Sequence, residues 1–161
     1  MSAPGPSLSR SPWGEADELW RRLAGNWTFE RTIEGQASMH GTAVFRSMPG
    51  AAHDTLHYRE EGRLRLLDGR AFDAHREYLY QRRPNGFAVL FAERPPRLFH
   101  EIALQPGDAD GTAWTGTAAH QCSADLYDSH YRFLTDGGFT LRHTVRGPRK
   151  DYVSLTRFSA A

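Results

Sequence analysis

The chain has 161 residues, enough for one domain with a sizeable core, and 39% of them are apolar and 12% aromatic, which excludes a disordered chain. The formal net charge is +1, and arginine supplies every basic residue except Lys150, so the overall charge calls for neither nucleic acid nor an anionic membrane. A lone cysteine, Cys122, rules out an internal disulfide, no apolar run reaches the roughly 18 residues of a membrane span, and the first thirty residues carry no signal-peptide core, so a cytoplasmic protein is expected.

Residues 1–12 are rich in Ser, Pro, Gly and Ala and read as a flexible leader, with residues 13–161 forming one domain. Ser11 and Pro12 supply an N-cap and a first-turn proline, which predicts a helix directly after them. Ala16, Leu19, Trp20 and Leu23 recur at i, i+3, i+4 and i+7, with acidic residues in the first turns and Arg21 and Arg22 in the last. Gly25 ends that helix. Everything beyond reads as about eight to ten strands. Phe72, Ala74, Arg76, Tyr78 and Tyr80 share one face of a strand, Phe87 to Ala92 is a short apolar run, and Leu98 to Leu104 alternates. Turns are predicted at Glu34-Gly35, Pro49-Gly50, Asp68-Gly69, Pro84-Asn85-Gly86, Pro106-Gly107-Asp108 and Asp136-Gly137-Gly138. Such regular spacing fits a sandwich or a barrel. A single antiparallel up-and-down β-barrel removes exposed edges and leaves interior room for a small ligand, and it is the expected fold.

Four groups of residues carry chemistry. Gly25-Asn26-Trp27 follows the helix and opens the first strand, and it resembles the G-x-W signature of lipocalins and related calycins. That resemblance implies a tryptophan closing the barrel bottom under an arginine from the last strand, here Arg157, which makes Gly25, Trp27 and Arg157 scaffold. His120, Cys122, Asp125 and Tyr127 form a second group, with His120 and Cys122 on one strand face. His-x-Cys supplies only two metal ligands and no second cluster stands at metal spacing, so neither a metal nor a cofactor is expected. The third is Lys150 beside the Gly147-Pro148 turn; pointing inward and desolvated, it would lose pKa and serve as a base. In the fourth, Arg76 faces the interior with Tyr78 and Tyr80, and either Glu60 or Glu61 balances its charge, depending on register.

The order of these segments is similar to an uncharacterised bacterial family of calycin-like barrels known only as a domain of unknown function. The resemblance is carried by Leu23-Ala24-Gly25-Asn26-Trp27, Tyr58-Arg59-Glu60-Glu61-Gly62, Arg76-Glu77-Tyr78-Leu79-Tyr80, His120-Gln121-Cys122, Asp125-Leu126-Tyr127 and Gly147-Pro148-Arg149-Lys150-Asp151-Tyr152. It implies the fold and no activity. Nitrobindin-like haem barrels carry a glycine-rich run after the first tryptophan and a histidine near the C-terminus, and neither is present after Trp27 or His143. Fatty-acid-binding barrels hold a carboxylate with internal arginine and tyrosine, which Arg76, Tyr78 and Tyr80 imitate by analogy.

The expected function is binding of a small, partly apolar molecule with an anionic or carbonyl end, through Arg76, Tyr78, Tyr80, His120, Cys122, Asp125, Tyr127 and Lys150. The expected partners are that ligand, with no nucleic acid or membrane, and a homodimer is left open. The alternative is a cofactor-free acid/base enzyme on the same interior, a lyase, isomerase or cyclase using His120 with Asp125, or Lys150 with a tyrosine. A third reading is an interaction protein whose barrel is solidly packed.

Overall fold

A computed structural model describes residues 11–51, 54–107 and 109–161, and these hold one short helix and eleven antiparallel strands. The helix α1 spans Ala16–Leu23. The strands are β1 (Gly25–Ile33), β2 (Ala37–Ser47), β3 (Thr55–Leu66), β4 (Ala71–Arg83), β5 (Gly86–Phe91), β6 (Arg97–Ala103), β7 (Gln105–Pro106), β8 (Thr112–Cys122), β9 (Asp125–Leu134), β10 (Phe139–Arg146) and β11 (Asp151–Ala160). No helix among the described residues is long and apolar enough to cross a membrane. Residues 1–10 of the expected leader, and Asp108 of the expected turn, lie outside the described residues.

The strands form one meander in the order β6-β5-β4-β3-β2-β1-β11-β10-β9-β8-β7, with β1 joining the first half to the second. It curls into a nearly closed barrel. Strand β6 runs on through Leu104 into β7, which crosses over to pair with β8 at Gln105–Thr115 and Pro106–Trp114. Beyond those two pairs, no backbone hydrogen bond joins β6 to β8 among the described residues. There the two strands meet through side chains, and Gly116 leaves the space that Ile102 fills.

One end of the barrel is plugged. Leu19, Trp20 and Leu23 on one face of α1 are buried, as the helical spacing predicts. The helix starts later than Ser11-Pro12 implies, with Glu15 in the cap position and no side-chain cap bond. Ser11 instead caps a turn, its Oγ accepting from the Trp13 amide at 3.1 Å and its carbonyl from Gly14 at 3.0 Å. That turn inserts Trp13 into the barrel mouth, where it is 0% exposed. Trp13 stacks on Trp27 at 5.8 Å with planes 1° apart, meets Phe133 and Phe139 edge-on, and donates from Nε1 to the Gly138 carbonyl at 3.1 Å.

Gly25 has φ +130°, which side-chain-bearing residues rarely adopt, and this kink turns the chain from α1 straight into β1. Trp27 then points inward and donates to the Leu23 carbonyl at 2.9 Å. The arginine expected over Trp27 is not Arg157. Thr156 and Phe158 face the core, so strand alternation turns Arg157 outward, where it pairs with Asp136 at 2.8 Å. The cation at the two tryptophans is Arg22 of the helix, 5.2 Å from the Trp13 ring and 6.0 Å from that of Trp27, anchored to the Gly137 carbonyl.

Candidate functional site

The end away from α1 opens into a cavity of about 540 Å³. Its first wall is β1, β3 and β4. Pairing sets Tyr58 beside Tyr78 and Glu60 beside Arg76, so Glu60, not Glu61, faces inward, with 2% exposure. A buried carboxylate needs partners. Arg31 donates to both its oxygens at 2.7 and 3.0 Å, Tyr58 donates at 2.9 Å, and Arg31 also reaches Thr156 Oγ1 at 2.7 Å. Burial works to raise the Glu60 pKa, but the Arg31 hydrogen bonds and the charges of Arg31 and Arg76 bring it below the usual carboxylate range. Arg76 lies 5.9 Å over the Tyr78 ring and, among the described residues, forms no salt bridge. Glu60 is committed to Arg31, which leaves the Arg76 charge free of a bonded carboxylate.

The second wall is β5 and β6. A bulge shifts the register, so that Val89 faces His100 while Leu90 faces Leu98, and Phe99 is the extra residue. Two consecutive side chains, Phe99 and His100, therefore turn inward with 5% and 4% exposure. The alternation expected across Leu98 to Leu104 breaks at this point. Phe99 stacks on Phe91 at 4.7 Å and 6°, and lies 5.7 Å from His143 at 14°. Arg97 covers the other end of this ladder, 4.4 Å from the Phe91 ring.

The third wall comes from β8, β9, β10 and β11. His120 pairs with Tyr127 and Cys122 with Asp125. The His120 Nε2 is buried without a hydrogen-bond partner among the described residues. His100 shares a 2.8 Å hydrogen bond with the Tyr131 hydroxyl, and His143 Nδ1 shares one of 2.8 Å with Ser129. Burial, helped by the neighbouring imidazoles, pushes His100 down to about 3. Burial and the charges of Arg76 and Arg31 push His143 down to about 4, and burial with Arg97 lowers His120. All three rings are neutral at neutral pH. Each lies against Phe99, at 4.5, 5.6 and 5.7 Å, and no group of three or more potential ligands among the described residues could hold a metal ion.

Lys150 stands on the rim with its side chain half exposed, donating to the Tyr127 hydroxyl at 3.3 Å, 3.7 Å from Asp125. It is not the desolvated base considered above. The Tyr127 hydrogen bond and the nearby negative charge of Asp125 raise its pKa, so it remains a cation. Of the residues expected to bind ligand, Arg76, Tyr78, His120, Cys122, Tyr127 and Lys150 line this one cavity. Tyr80 lies below it, buried against Phe45 and Phe87, 3.4 Å from the Tyr131 hydroxyl. Asp125 sits at the rim beside Lys150 and fills the space that a side chain at Gly147 would need. Sequence reasoning missed Arg31, Phe91, Arg97, Phe99 and His143. Arg31 was recoverable, because it continues the inward face of Trp27 and Phe29.

No curated protein matches the chain in sequence. Among solved structures it is similar to the S-type phycobiliprotein lyase CPES from Guillardia theta, with a TM-score of 0.63 and 9% identity over 91% of this chain and 93% of that one. It is also similar to a redesigned β-barrel, mFAP1, bound to DFHBI, with a TM-score of 0.43 and 13% identity over 86% and 95% of the two chains. The first likeness shows a shared barrel fold. Residues 23–160 match the family of unknown function DUF6314, and the chain belongs to that family.

Proposed function

We propose that this barrel binds a small, partly apolar molecule through an anionic end. The observation that carries the reading is Arg76, a guanidinium in an open cavity of about 540 Å³ that no carboxylate among the described residues pairs with, 5.9 Å over the Tyr78 ring. A volume of this size suits a small organic ligand, and a few fixed polar groups on an apolar lining are what orient one. The cavity counts against a solidly packed barrel. The likeness to a phycobiliprotein lyase is one of fold, and one fold hosts unlike functions, so support for ligand binding comes from the cavity itself. Acid/base catalysis is the weaker reading, because Lys150 is held as a cation and no hydrogen bond joins His120 to Asp125.

Anilinonaphthalene sulfonate, an apolar aromatic anion that brightens on leaving water, is a suitable probe. It should bind the wild-type chain and slow the reaction of Cys122, the only cysteine, with a thiol reagent. A hydrogen bond to a charged group contributes about 1.5–3 kcal/mol, so Arg76→Gln should weaken binding about tenfold or more. Unchanged affinity in that variant, or no protection of Cys122, overturns the reading.

A further inference from the structure

Resting on that ligand-binding reading, we infer that the occupant is a flat, conjugated acid with a second polar group, a hydroxyl or carbonyl, at the end away from its carboxylate. The cavity holds two polar groups with capacity left for a guest among the described residues: the Arg76 guanidinium, which hydrogen-bonds the Tyr78 side chain but is in no salt bridge, and the His120 Nε2, which is buried and in no hydrogen bond. A buried polar atom without a partner is uncommon enough to need an explanation. A ligand that engages it supplies one.

The placement of the two groups shapes that ligand. Arg76 is on β4 and His120 on β8, and the wall between them is β5 and the cavity half of β6. Rings bridge the two groups: Arg76 lies 5.9 Å over Tyr78, the Tyr78 ring is 5.9 Å from Phe99, and Phe99 is 5.6 Å from His120. The surface to be crossed is the Phe91–Phe99 pair, two rings 4.7 Å apart and 6° from parallel. A flat ring system makes offset-stacked or edge contacts with such a pair, and a rigid one loses less freedom on binding than a flexible chain of the same length. At the far end, His120 lies 5.6 Å from Phe99 and is uncharged, held so by burial and by Arg97. A neutral imidazole nitrogen accepts from a hydroxyl or donates to a carbonyl, and offers no charge to a second carboxylate.

Calorimetric titration with two probes of one shape tests this. trans-Cinnamate carries the carboxylate and the flat ring, and 4-hydroxycinnamate adds a hydroxyl at the opposite end. The wild-type chain should bind 4-hydroxycinnamate about fivefold more tightly, the net worth of one hydrogen bond. His120→Phe should erase that preference while leaving cinnamate affinity within about twofold; Arg76→Gln should weaken both acids. If the phenyl group prevents folding, His120→Ala makes the same comparison. Equal affinity in the wild-type chain, or a preference that survives at position 120, overturns the second anchor and leaves the ligand reading standing. Binding of anilinonaphthalene sulfonate without either cinnamate also overturns this inference alone. Failure of all three probes overturns both.

Discussion

Three imidazoles share the cavity region without charge, and that has a cost in acid. In the unfolded chain a histidine titrates near 6.5, whereas His143 is held at about 4 and His100 at about 3. Between those values the unfolded state binds more protons than the folded one, so stability is complete above about pH 6.5 and falls as the pH drops through the window. Each histidine contributes a slope of up to about 1.4 kcal/mol per pH unit, and the lowered Glu60 acts in the same direction below the usual carboxylate pKa. Urea unfolding midpoints measured from pH 7 to pH 4 should therefore fall steeply, and less steeply in His143→Phe. An identical slope in the two proteins would remove His143 from the account. At this scale the sequence was partly legible. Arg76 was visible because its strand alternates cleanly, but Glu60 could not be told from Glu61, since a shift of one residue exchanges the faces.

Among the elements, the segment before α1 does more than lead into it. Trp13 is fully buried between Trp27, Phe133 and Phe139, and removing so large a core ring leaves a void that the surrounding strands cannot close. Trp13→Ala should lower unfolding free energy by about 3–5 kcal/mol, measured in urea, and a loss below 1 kcal/mol would contradict the plug. Helical spacing disclosed which face of α1 is buried, yet the turn that inserts Trp13 read as a helix start, because Ser-Pro serves both. The bulge in β6 was invisible for a related reason. Period-two reasoning assigns Phe99 and His100 to opposite faces, and only the pairing with β5 shows both inside.

At the scale of the molecule, turn spacing and alternation were enough for an all-β barrel with one helix, because closing the meander is how so many short strands satisfy their edges. The closed end was legible through Trp27, whereas the open seam beside the cavity was not, since that depends on where β6 leaves β5 for β8. The seam it leaves has a dynamic counterpart. Near the helix the ring of strands is held by backbone pairing through β7, while beside the cavity no backbone hydrogen bond joins β6 to β8 among the described residues. Amide hydrogen exchange should divide the barrel along that line, with the seam-facing positions around Phe99 and His120 exchanging far faster than those of β1, β2 and β11, which are paired on both sides. Uniform protection around the ring would show the seam to be zipped in solution. A slow helix end and a fast cavity end would give the protein a rigid base and a wall able to part for a guest.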